Sequence, residues 1–156
     1  MKSEFPPLLG AGFHPKTLTE LRQMCCDAFP NSTTRPQIMD GLEKIINTLI
    51  ANDVIGEVWV DGSFLTEKIN PADSDILVYF SGDFYDNGTL QQRHLIDTIN
   101  TNLKAQFMCD SYVLPYYSQG HQWYNILEER KAYWTDLFGT SRSKIGKGMA
   151  VVKLIK

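Results

Sequence analysis

The chain has 156 residues, with 15 Lys+Arg against 18 Asp+Glu for a formal net charge of -3, and is 43% hydrophobic, 12% aromatic and 21% charged. That length fits one domain with a sizeable core, and the composition excludes a disordered, collagen-like or coiled-coil protein. The slightly acidic balance argues against a general nucleic-acid coat and leaves room only for a local basic patch.

No run of about 18 apolar residues occurs, so no membrane span is expected. The stretch from Met1 to Pro7 lacks the apolar region of a secretory signal. Cys25, Cys26 and Cys109 form an odd set without CxxC spacing, which points to a reducing, cytoplasmic setting.

The first sixteen residues carry three prolines and two glycines and read as an extended lead-in. Thr17 and Glu20 have the spacing of a capping box, and Leu18, Leu21, Met24, Cys25 and Ala28 predict a first helix near 18–28. After a turn between Pro30 and Pro36, the stripe Ile38, Leu42, Ile45, Ile46 and Leu49 predicts a second helix over 36–52. Residues 57–61 alternate as a strand that Gly62-Ser63 ends, and 64–72 form a loop. The apolar run at 75–80, led by an acid, reads as a buried central strand. A turn at 82–88 and a helix over 89–105 follow, then a strand over 107–114 stopped by Pro115.

A helix over 120–138 carries Trp123, Ile126, Leu127, Arg130, Trp134 and Leu137 along one face, assigned to the core, and Gly139 ends it. Residues 140–148 are a basic, glycine-containing loop, and 149–155 read as the last strand. The expected architecture is a single α+β domain over 1–156: a lead-in, two N-terminal helices at 17–52, and a core at 56–156. The core is a small mixed sheet with helices mainly on one side.

The informative stretch is Gly62-Ser63, a gap of nine, then Asp73-Ser74-Asp75. Two acids two apart at the start of a strand point to one face. Carboxylates held that close repel unless a cation lies between them, and a hard ion such as Mg²⁺ takes an all-oxygen site. Gly-Ser at a strand end offers open backbone and a hydroxyl for a phosphate. Asp110, in mid-strand between Cys109 and Ser111, is the natural third carboxylate, since a lone acid there is otherwise costly. The bland alternative for Asp73 and Asp75 is a solvated turn after Asn70-Pro71.

The string Val60-Asp61-Gly62-Ser63, then Asp73-Ser74-Asp75-Ile76, with Asp110 later, resembles the signature of the DNA polymerase beta-like nucleotidyltransferase superfamily. With Trp59 to Lys68, Phe138-Gly139 and Lys147-Gly148, it is similar to small bacterial members linked to toxin–antitoxin and phage-defence settings. The resemblance implies a nucleotidyltransferase-like fold and transfer of NMP from an NTP to a hydroxyl of a protein or RNA. It implies Gly62 and Ser63 on the triphosphate, and Asp73, Asp75 and Asp110 as metal ligands for Mg²⁺ or Mn²⁺. Asp110 would also act on the incoming hydroxyl. Two positions depart from the signature: Asp61 stands before Gly62 where an apolar residue is usual, and Ser74 stands between the acids. Ser74 is expected to face away from both.

Arg142, Lys144 and Lys147 place three cations in the 140–148 loop, either as a solvated connection or as a basic lip for a triphosphate or nucleic acid. Lys68 is a further candidate phosphate contact, and Tyr112, Tyr116 and Tyr117 are candidates for stacking on a base. A core this small leaves little surface for an acceptor, so a second copy or the partner itself is expected to supply the rest. The alternative function is a catalytically inactive nucleotide-binding or partner-binding module of the same fold.

Overall fold

The computed structural model describes residues 4–140 and 146–156. In chain order the elements are β1 (Gly12–Pro15), α1 (Leu18–Arg22), α2 (Arg35–Ala51), β2 (Gly56–Asp61), β3 (Ser74–Ser81), α3 (Gly82–Asp86), α4 (Leu90–Asn100), α5 (Lys104–Phe107), β4 (Cys109–Tyr116), α6 (Tyr124–Gly139) and β5 (Gly148–Lys153). A π turn over Gln23–Asp27 extends α1, so the expected first helix is present in two forms. The expected capping box is formed, with Thr17 Oγ1 accepting from Glu20 N–H and Glu20 Oε1 accepting from Thr17 N–H.

The fold is α+β around a five-stranded mixed sheet of order β1-β5-β2-β3-β4. β2 runs antiparallel to β3 and β5, whereas β3–β4 and β1–β5 are parallel. The β3–α4–β4 crossover returns the chain alongside β3, parallel to it. Strand alternation divides the apolar residues between two faces. Val58, Val60, Ile76 and Val78 join Ile38, Leu42, Ile46 and Leu49 of α2 and Ile96 and Ile99 of α4 in the larger core. Trp59, Leu77, Leu114, Met149 and Val151 form a second core, closed by Leu127, Trp134 and Phe138 of α6. The helices do fall mainly on one side, but α6 covers the other face, and that placement builds the site described below.

Four further expectations change. The lead-in is not merely extended: Gly12–Pro15 pair in parallel with Gly148–Val151 as an edge strand. β4 runs through Pro115 to Tyr116 instead of stopping, because it is the outermost strand and a missing N–H costs nothing on its open side. The helix expected over 89–105 breaks after Asn100. Asn102, at φ 78°, takes the left-handed region, and its side-chain oxygen accepts from Lys104 N–H at 2.9 Å to start α5. On α6 the inward residues are Leu127, Trp134 and Phe138, while Trp123, Ile126 and Leu137 are about half exposed and leave the expected core face.

The cysteines are free, with Cys25 and Cys109 buried. Among the described residues no helix is long and apolar enough to cross a membrane.

A candidate site of aligned carboxylates

β2 ends on Asp61, which lies directly opposite Asp75 of β3, and Asp75 lies opposite Asp110 of β4. Period-two alternation puts these aspartates on the same face as Trp59, Leu77 and Leu114, the face that α6 covers. The apolar packing stops where the row of acids begins. They line a cleft of about 630 Å³ together with Tyr112, Lys147 and the C-terminal end of α6.

Gly62 turns the chain away from the row. Its φ of 89° is one that side chains rarely adopt, and a Cβ there would come within 2.8 Å of Asp75 Oδ2. The following residues, 63–68, are held from beneath by Arg35, which is 0% exposed. Its guanidinium donates to the carbonyls of Cys25 and Phe64 at 2.8 Å, Thr66 at 2.6 Å and Lys68 at 2.7 Å, and stacks 3.8 Å over the Phe29 ring. The lead-in straps the same loop from the other side, through Leu8 N–H to Leu65 O and Glu67 N–H to Pro6 O. Ser63 is left exposed at the tip.

The expected site residues divide. Asp75 and Asp110 meet across β3 and β4. Asp73 precedes β3 and pairs with Lys104 Nζ at 3.0 Å, while lying near enough to Asp75 to act on its carboxyl. Ser74 faces away as expected and donates to Cys109 Sγ in the opposite core. Lys147 lines the cleft and bonds Asp61 Oδ2 at 2.9 Å. Lys68 lies outside the cleft lining, its ammonium 5.8 Å from the centre of the Phe5 ring. Arg142 and Lys144 fall outside the described residues. The tyrosines offered for base stacking already have aromatic neighbours: Tyr112 on Trp134, Tyr116 on Tyr79, and Tyr117 stacked on His121 at 3.8 Å.

Sequence reasoning missed Asp61, Asn102 and Lys104. Asp110 accepts from Asn102 Nδ2 and, at 3.1 Å, from the Tyr112 hydroxyl. The break that ends α4 is therefore also what brings a donor to the third acid.

Burial pushes the Asp61 carboxyl up to about 7, against the pull of Lys147. Burial, then the charges of Asp73 and Asp110, push Asp75 up to about 6. Asp61 Oδ1 is buried without a hydrogen-bond partner. Both carboxyls are raised chiefly by their withdrawal from water.

Among the described residues no group of three His, Cys, Asp or Glu side chains is gathered tightly enough to hold a metal by itself. Mg²⁺ does not need such a cage. It commonly takes one or two carboxylates, with the remaining positions filled by water and substrate phosphates. The all-oxygen donors of Asp75 and Asp110, the charge that raises Asp75, and the glycine cradle against Asp75 Oδ2 fit that mode of binding.

A family model described as a family of unknown function, DUF6932, matches residues 3–153. No curated protein and no solved structure matches the chain.

Proposed function

The chain belongs to the DUF6932 family, and we propose that it is a metal-dependent nucleotidyltransferase that moves NMP from an NTP to a hydroxyl of a protein or RNA. The observation that carries this reading is the aligned row Asp61–Asp75–Asp110 beside the glycine turn at Gly62. In the transfer, the acceptor oxygen bonds to the α-phosphorus, the bond to the pyrophosphate oxygen breaks, and the hydroxyl proton leaves to a base. A Mg²⁺ or Mn²⁺ ion, when bound, supplies positive charge for the phosphates, and Asp75 and Asp110 would hold it.

The chain's own groups divide the remaining tasks. Gly62, which has no side chain, and the exposed hydroxyl of Ser63 receive the triphosphate. Arg35 keeps that loop rigid through its carbonyl contacts. Asp110, oriented by Asn102 and Tyr112, takes the proton of the acceptor hydroxyl. Lys147 adds a cation at the end of the row. Asp73, paired with Lys104, acts on Asp75 from the rim.

A second reading is a nucleotide-binding or partner-binding module without turnover. The pairing of Asp61 with Lys147 and of Asp73 with Lys104 favours it, because these ammonium groups satisfy acids that would otherwise attract metal.

Incubation with labelled NTPs, Mg²⁺ or Mn²⁺, and total RNA or a candidate partner protein separates the two. Transfer that disappears in the Asp73→Ala, Asp75→Ala double variant supports the enzyme. Transfer that survives the double variant defeats the site assignment, and nucleotide binding without transfer to any acceptor favours the module.

A further inference from the structure

We propose that Lys147 takes the place of a second divalent cation, so that the cleft holds one metal ion beside a built-in ammonium. The inference rests on the nucleotidyl-transfer reading and concerns how the same row of acids is neutralised. Lys147 Nζ lies 2.9 Å from Asp61 Oδ2, and the two side chains are 19% and 3% exposed. The ammonium is delivered from fixed backbone. Lys147 N–H donates to Gly139 O at 2.9 Å, at the end of α6. The next residue, Gly148, begins β5 so close to the lead-in that a Cβ would fall 2.2 Å from Gly10 O. Lys147 thus has the last turn of one element behind it and the first residue of another ahead.

The row is asymmetric as a result. At the Asp61 end, Lys147 already provides the counter-charge, and its field also reaches Asp75. A dication placed between Asp61 and Asp75 would sit against that largely buried ammonium, where like charges repel more strongly than in water. At the Asp110 end the hydrogen-bond donors are neutral, the amide of Asn102 and the hydroxyl of Tyr112, and the ammonium whose charge reaches Asp75 and Asp110, Lys104, is already paired with Asp73, so the gap between Asp75 and Asp110 is the favourable one. One dication and one ammonium together match the charge of the three aligned carboxylates. Asp136, the fourth acid of the cleft, is exposed and screened by solvent. The unpartnered Oδ1 of Asp61, buried in the cleft wall, marks where a second cation would gain a ligand if Lys147 did not hold the other oxygen.

The test is a count. The full chain is dialysed against Mn²⁺ and a slowly hydrolysed NTP analogue, and bound Mn²⁺ is measured per bound nucleotide. One Mn²⁺ is expected in the wild type, and two in Lys147→Gln, which vacates the Asp61 end. Asp61→Asn should keep one, since the occupied gap is at the other end. Two Mn²⁺ in the wild type overturn the inference and leave the nucleotidyl-transfer reading standing. So does a Lys147→Gln count that stays at one, or an Asp61→Asn count that falls to none. Nucleotide bound with no Mn²⁺ in the wild type defeats that reading and the inference together. The wild-type count decides even if Lys147→Gln fails to fold.

Discussion

Asp75→Asn should make the metal-free protein more stable at pH 8 and leave it unchanged near pH 4. The carboxyl of Asp75 is pushed from 3.8 to about 6 by burial and by its negative neighbours. A carboxyl whose pKa is higher in the folded state binds more protons folded than unfolded at intermediate pH, so stability falls as pH rises. The cost is absent below the unfolded value of 3.8, grows through the interval, and is complete above about 6. A shift of roughly two units corresponds to a ceiling of about 3 kcal/mol, and partial exposure of the group brings the expected gain to about 1–2 kcal/mol. Asn resembles the protonated acid in shape and charge, so the difference should vanish in acid. Urea denaturation of both proteins in EDTA at pH 4, 5, 6, 7 and 8 measures it. Adding Mg²⁺ at pH 8 should stabilise only the wild type and narrow the gap. A variant less stable than wild type at pH 8, or a difference that does not change with pH, would refute the reasoning.

Other changes probe the frame of the site. Gly62→Ala forces a side chain into φ 89° and against Asp75 Oδ2; denaturant unfolding should show a loss of about 1–3 kcal/mol, with Mn²⁺ binding weakened in parallel. Arg35→Met strips the donors from the carbonyls of Cys25, Phe64, Thr66 and Lys68. It should cost about 3–5 kcal/mol, and limited trypsin digestion should cut faster after Lys68. Ser111→Ala removes a buried hydroxyl that accepts from Leu103 N–H at 2.9 Å and donates to Ile99 O at 2.7 Å. A loss of about 1–3 kcal/mol is expected, with faster amide exchange at Leu103.

The elements that the sequence made legible are those whose own side chains report burial. α2 and the strands β2 and β3 carry apolar residues at the period of their structure, and each forms within a residue or two of its expected span. β1 has no such signal. Its residues are mostly exposed, and what makes it a strand is backbone pairing with a segment at the far end of the chain. α6 fails differently. Its apolar residues are spread around the helix, and one periodic stripe could be drawn through either set. Only the position of the second core decides that Leu127, Trp134 and Phe138 turn inward while Trp123, Ile126 and Leu137 do not.

For the candidate site, the placing of Asp75 opposite Asp110 follows from a parallel crossover of the expected length, and that much was readable. Asp61 was readable too, by the argument applied to Asp110: an acid closing the apolar run Val58-Trp59-Val60 is costly to bury and calls for a partner. Two-residue alternation from Trp59 puts Asp61 on the face that Asp75 shares, and the antiparallel pairing of β2 with β3 brings the two level. What no local pattern could supply is the partner itself. Lys147 reaches Asp61 because β5 inserts between β1 and β2, which makes a residue from the end of the chain the neighbour of one from the middle. Read by spacing alone, Lys147 belonged with Arg142 and Lys144 in an undivided basic loop. Topology gives it a separate role: its ammonium, 2.9 Å from Asp61, already neutralises one end of an acidic row whose other end has neutral hydrogen-bond donors.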